Sequence, residues 1–244
     1  MSLEKIYGVH AVEAVLRHHP KRVKQVWLAE GRSDPRVQTL IELANENRVA
    51  VGQAERREMD VWVEGVHQGV VADVSPSQVW GEAMLDELLD RTEGAPLLLV
   101  LDGVTDPHNL GAIIRSAECV GAHGVIVPER RSVGLTPAAV KASAGAVEHM
   151  KVARVTNLNR TLEELKKQNV WAYALDMDGE DYEKVNFKGG VALVVGAEGE
   201  GVSRLTLETC DQKVSLPMAG HIDSLNASVA AGIVMYRVLS SRRK

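Results

Sequence analysis

Leu97-Leu98-Leu99-Val100-Leu101-Asp102-Gly103-Val104-Thr105-Asp106-Pro107-His108-Asn109-Leu110-Gly111-Ala112 decides the fold. Its first five residues are apolar without a break, as in a strand covered on both faces of a parallel sheet. A turn-rich stretch at 102–108 follows, then a helical pattern at 109–121 in which Asn109 is placed to cap the first turn. The turn therefore sits at the strand's carboxyl end, where open α/β sheets bind ligands.

Working outward, the alternation continues downstream. Strand patterns at 125–127 and 152–155 flank a helix that Thr136-Pro137 opens and that runs to 150, with Pro137 suited to its first position. A helix at 158–167, strands at 170–175, 191–195 and 213–216, and a final helix at 224–239 complete the order. Strands separated by such helices predict an α/β domain with a mostly parallel sheet and helices on both faces. Upstream, the first sixteen residues read as an amphipathic helix entry, with its helix at 9–17. Strands at 25–29, 49–51 and 69–74 and helices at 35–45 and 55–61 make a second, smaller α/β unit. Ser75-Pro76-Ser77-Gln78 breaks the pattern. The expected organisation is a domain at 1–75, a linker at 76–94 and a domain at 95–244.

Composition narrows the class. With 45% apolar and 25% charged residues in a chain of 244, this is an ordinary globular protein. Cys119 and Cys210 stand far apart and encode no disulfide framework or metal knuckle. The start lacks a signal peptide's regions, and no apolar run approaches a membrane span of about 20 residues; a cytoplasmic protein without a membrane partner is expected. The histidines are scattered, so no metal site is expected. The net charge of −5 leaves no global field for nucleic acid. Any such contact must rest on local patches such as Arg17-His18-His19-Pro20-Lys21-Arg22-Val23-Lys24, although on sequence alone that patch is better read as a solvated helix end and turn.

Two further segments resemble the opening one in position: Gly196-Ala197-Glu198-Gly199-Glu200-Gly201, and Leu216-Pro217-Met218-Ala219-Gly220 through Ser224-Leu225-Asn226. Each follows a strand, so all three can converge on one edge. The glycines read G-x-x-G-x-G, the reverse of the dinucleotide fingerprint. Glu198 and Glu200 would repel a pyrophosphate, whereas a ligand with a cationic centre would be tolerated. Ile113, Ala117 and Val120 face the core and Arg115 projects to the opposite side, where it is a ligand contact or a solvated side chain. Ser224 and Asn226 are pocket residues or a cap and a turn. The final helix is apolar nearly all round and must be covered on more than one side, by an intrachain element or a second subunit. On spacing alone, the chain is an α/β ligand-binding protein with a polar pocket.

Three motifs sharpen that reading. Asn109-Leu110-Gly111-Ala112 with Arg115, then Leu193-Val194-Val195-Gly196-Ala197-Glu198-Gly199, then Leu216-Pro217-Met218 with Ser224-Leu225-Asn226-Ala227-Ser228-Val229-Ala230 resemble, in order and spacing, the motifs of the SpoU/TrmH family of SPOUT RNA methyltransferases. Ala227 departs from the family's usual valine, and His221-Ile222-Asp223 is variable. Tyr7-Gly8-Val9-His10-Ala11-Val12 and His67-Gln68-Gly69 resemble the small amino-terminal domain of the family's rRNA guanosine enzymes.

The resemblance implies a carboxyl-terminal α/β domain with a deep trefoil knot, a small L30e-like domain that presents RNA, and a homodimer formed through the carboxyl-terminal domains. It implies S-adenosylmethionine-dependent 2′-O-methylation of a guanosine ribose in 23S rRNA. A tRNA substrate, or a non-catalytic RNA-binding factor on the same fold, is the alternative; DNA is not an expected partner. Gly196, Leu216, Met218 and Leu225 would line the cofactor site. The family's arginine, here Arg115, is often assigned as the general base. A guanidinium offers donors and no acceptor, so the simpler expectation is that Arg115 binds the neighbouring phosphate and stabilises the developing alkoxide. Glu198 would orient Arg115 or the nucleotide, and Asn109, Ser224 and Asn226 would position ribose and loops.

Overall fold

The structure, a computed structural model, describes residues 3–77 and 79–243. Gln78, in the turn read as the start of the linker, and the first two residues of the opening stretch lie outside the described residues. By contact the chain divides into two compact units, Met1–Gln78 with Gly134–His149, and Val79–Val133 with Met150–Lys244.

The first unit is built on a four-stranded sheet in the order β1-β4-β2-β3. Its strands are β1 (Glu4–Tyr7), β2 (Val23–Ala29), β3 (Ala50–Ala54) and β4 (Val70–Val74), with helices α1 (Val9–His18), α2 (Pro35–Glu46) and α3 (Arg56–Trp62) between them. The helix expected from the chain's opening begins only at Val9. Glu4–Tyr7 is instead a strand antiparallel to β4, and the Lys5 ammonium lies 2.6 Å from Asp73 across that pair. Asp34 caps α2 by accepting from the amides of Arg36 and Val37, and Pro35 takes the first helical position.

The second unit runs α4 (Ala83–Asp90), β5 (Leu97–Asp102), α5 (Pro107–Cys119) and β6 (Gly124–Pro128). After α6 (Pro137–Ala142), which belongs to the first unit, come β7 (Val152–Val155), α7 (Leu158–Lys167), β8 (Val170–Asp181), β9 (Gly190–Gly196), α8 (Arg204–Thr209), β10 (Gln212–Ser215) and α9 (Ala227–Arg242). Its six strands lie in the order β10-β8-β9-β5-β6-β7, and every pairing is parallel. Leu98 to Leu101 are fully buried in the middle of that sheet, which explains why β5 is apolar without alternation. Because all strands point the same way, β5, β9 and β10 deliver Asp102, Gly196 and Ser215 to one edge.

Three local expectations are corrected. Helix α5 begins at Pro107, two residues early, because Asp106 accepts from the His108 amide at 2.9 Å; Asn109 therefore lies inside the first turn and does not cap it. The helix expected to reach 150 stops at Ala142. Ala144 (φ 50°) and Gly145 (φ 96°) turn left-handed, and a Cβ on Gly145 would lie 2.5 Å from that of Ala14, so the bend lets α1 come close. Strand β8 extends well past 175. Its pairing with β10 jumps from Ala174↔Lys213 to Glu180↔Val214, so residues 175–179 leave the ladder as an excursion at the same edge.

Helix α9 is pinned at its far end by Arg242. Its guanidinium donates to the carbonyls of Ala95 (2.9 Å), Pro96 (3.0 Å), Phe187 (3.3 Å) and Gly189 (2.7 Å), gathering the entries of β5 and β9. Hydrogen bonds to a charged group are worth more than neutral ones, but this side chain is partly exposed. Arg242→Ala is expected to remove about 2 kcal/mol of stability, read as a lower urea midpoint with an unchanged slope.

Candidate active site

At the edge where the strands end, α5 and the loops after β9 and β10 bring three polar side chains together. The Asn109 amide, 5% exposed, donates to Glu198 Oε2 at 3.3 Å. Asn226 Nδ2 donates to Glu198 Oε1 at 3.2 Å and to Asn109 Oδ1 at 2.9 Å. The Asn226 oxygen caps α9, accepting from the amides of Ser228 (2.9 Å) and Val229 (3.3 Å) and from the Ser228 hydroxyl (2.6 Å). Asn226 thus does both things its sequence position allowed, capping a helix and joining a site. Both oxygens of Glu198 are held by amide donors, and among the described residues Glu198 makes no hydrogen bond or ion pair with Arg115. Arg115 is exposed on α5, with no hydrogen-bond or ion-pair partner among the described residues.

Beside this cluster lies a cavity of about 440 Å³. Glu198 lines it, as do Gly196, Leu216, Met218, Ser224 and Leu225. Asn109, Arg115 and Asn226 are not among its lining residues. The turn carrying Glu198 is closed by paired hydrogen bonds between Ala197 and Gly201, at 3.0 and 2.9 Å, and Asp102 accepts from the Ser203 amide at 2.9 Å, tying that turn to the end of β5. A Cβ on Gly196 would lie 1.9 Å from the Gly201 carbonyl carbon and 2.1 Å from Val202 N, so only glycine lets the chain fold back there.

Known proteins decide what the arrangement belongs to. The SpoU rRNA Methylase family matches residues 96–236, and a model for RNA 2′-O ribose methyltransferase substrate binding matches residues 5–80. The chain belongs to the SpoU rRNA methylase family. Among its relatives, the 23S rRNA (guanosine-2′-O-)-methyltransferase RlmB of Pseudomonas syringae pv. tomato is 64% identical, over 98% of this chain and 96% of that one. The Escherichia coli K12 protein of the same name is 45% identical, over 98% and 99%. A crystal structure of an RNA 2′-O ribose methyltransferase superposes with a TM-score of 0.82 at 28% identity, covering 98% of this chain and 88% of that one. The SpoU methyltransferase AviRb of Streptomyces viridochromogenes, in complex with AdoMet, shares the fold with a TM-score of 0.77 at 24% identity, over 98% and 90%.

The cavity of this SpoU methylase fits a flat base joined to a cationic centre. Met218 and Leu225, each 40% exposed, and Leu216 offer apolar surface to a base. Asp176, Asp178, Glu198, Glu200 and Asp223 line the same space, and no lysine, arginine or histidine lines it among the described residues. That donor set suits a sulfonium and disfavours a pyrophosphate. The sequence reading missed Leu175, Asp176, Met177 and Asp178, which reach the cavity from the β8 excursion. A signal was there: an apolar strand run ending in Asp176-Met177-Asp178-Gly179-Glu180-Asp181 is another strand end at the ligand edge.

Proposed function

We propose that the protein transfers a methyl group from S-adenosylmethionine to the 2′-hydroxyl of a guanosine in 23S rRNA. The observation that carries this reading is the meeting of Asn109, Glu198 and Asn226, one from each motif, beside an acid-lined cavity of the right chemistry. Relatives bearing that activity in their names span the whole chain.

When bound, the cofactor supplies an electrophilic methyl on a positively charged sulfur. The residues of this chain do the rest. Gly196, Leu216, Met218 and Leu225 hold the donor. Glu198, fixed by two amides, presents its charge in one place and needs no reorganisation during the reaction. A guanidinium is a planar fork of five donors with no acceptor atom, so Arg115 acts as an anchor and not as a base. It grips the neighbouring phosphate and steadies the oxygen as its proton leaves to phosphate or water. Its lack of a partner within the described chain suits a side chain kept for the substrate. Ser224 and Asn226 position the ribose and the loop. Arg115→Lys keeps the charge and loses the two-pronged geometry, so turnover with saturating rRNA is expected to fall about thirtyfold; full turnover would overturn the assignment.

The residues at 1–75 present rRNA, joined through 76–94 to the transferase at 95–244. We infer a cytoplasmic homodimer whose contact is α9. On that helix Val229, Ile233 and Tyr236 are 50, 37 and 54% exposed, and their spacing puts them on one face. We also infer the family's trefoil knot, with the loop after β10 threaded so that three backbone segments enclose the donor.

Incubating the protein with unmodified 23S rRNA and methyl-labelled S-adenosylmethionine tests the function. One guanosine is expected to gain a 2′-O-methyl group that blocks alkaline cleavage. Label in tRNA instead would favour the tRNA reading, and rRNA binding without label would leave a binding factor.

A further inference from the structure

We propose that the acidic wall of this cavity makes the site prefer the cationic methyl donor over the neutral thioether left after transfer, and so promotes product exchange. The inference rests on the reading of the cavity as the S-adenosylmethionine site.

Three separate backbone segments each bring an exposed acidic residue to the lining of the cavity: Asp178 from the β8 excursion, Glu200 from the turn after β9, and Asp223 from the loop before α9. None of the three has a salt-bridge partner among the described residues. Asp176 differs. It lies 3.5 Å from the Lys213 ammonium and accepts from the Asp178 amide at 2.9 Å, so its charge is partly balanced. Glu198 is engaged by the two asparagines. The unbalanced negative charge around the cavity therefore comes chiefly from Asp178, Glu200 and Asp223.

Methyl transfer changes one charge on the ligand. The ribose oxygen's lone pair forms the new O–C bond, the pair of the broken C–S bond returns to sulfur, and the hydroxyl proton leaves to phosphate or water. Sulfur goes from one positive charge to none, while the ligand's own ammonium and carboxylate are the same before and after. Whatever those groups feel cancels between donor and product. The wall's attraction for the sulfonium does not cancel. In water-screened surroundings each carboxylate is worth roughly a twofold preference, so the three together give about fivefold to tenfold. The preference is lost in the same step that makes the product, so the spent ligand leaves a site that a fresh donor fills more readily.

Calorimetry on the full chain, without RNA, separates the possibilities. Three ligands are compared: S-adenosylmethionine, S-adenosylhomocysteine, and an analogue with an ammonium in place of the methylsulfonium. The two cations are expected to bind about fivefold more tightly than the thioether at low salt, with the gap closing at high salt. In D178N/E200Q/D223N the cations should weaken toward the thioether while thioether affinity holds, which also reports an intact fold. Should the triple variant fail to fold, D178N and D223N singly are each expected to lose about half of the preference. Thioether binding as tight as donor binding in the unaltered protein, a gap that survives the substitutions, or an analogue that behaves like the thioether would each overturn the proposal. If none of the three ligands binds, the reading of the cavity as the donor site falls instead.

Discussion

Asn226→Asp is expected to cut methyl transfer about a hundredfold at pH 8 and to recover part of it as the pH is lowered. The substitution keeps the oxygen that caps α9 but replaces the Nδ2 donor with a second acceptor. That atom lies 3.2 Å from one Glu198 oxygen and 2.9 Å from the Asn109 oxygen. Two carboxylates this close repel when both are ionised, and lowering the pH into the carboxylate range places one shared proton between them. There the proton restores a donor and the cluster re-forms. Above that range, repulsion swings Glu198 away and the preorganisation is lost, an effect of about two decades in rate for a site of this kind. The capping contacts to Ser228 and Val229 persist, so melting should shift little. A pH–rate profile parallel to that of the unaltered enzyme would show that the cluster is only structural.

Gly196→Ala is expected to abolish detectable donor binding and to destabilise the second unit by about 3 kcal/mol, at the upper end for overpacking. The added methyl would meet main-chain atoms of Gly201 and Val202 at 1.9 to 2.2 Å, and backbone held by the Ala197–Gly201 pair has no rotamer through which to yield. Gly199→Ala is the informative contrast. Gly199 has open space but a φ of +82°, so alanine there meets only backbone strain of about 1 kcal/mol. Calorimetric binding and urea midpoints on the two variants separate crowding from conformation. Retained donor affinity in Gly196→Ala would place the ligand elsewhere.

Much of this was legible in the chain. The unbroken run at Leu97–Leu101 announced a central parallel strand, and the three strand-end segments announced the edge where Asn109, Glu198 and Asn226 meet. What was not legible depended on distant partners. Glu4–Tyr7 looks like a helix entry by local spacing and is a strand because β4 pairs with it. The acidic end of β8 looks like a loop because it leaves the ladder before rejoining β10. The stop at Ala142 is set by the close approach of Ala14 to Gly145, which no local propensity encodes. The asparagine at 109 looked like a cap because its residue type favours one. Asp106 won that position because Pro107 behind it starts the helix earlier.

The sheet order also governs when the protein can mature. Leu98 pairs with Ala192, so β5 emerges from the ribosome roughly ninety residues before its inner neighbour and waits on the order of ten seconds at ordinary elongation rates. Until then a fully apolar strand has one flank unsatisfied. High contact order of this kind slows folding and exposes a sticky intermediate, so yield of native enzyme should depend more steeply on temperature and chaperone supply than that of a helical protein of equal length.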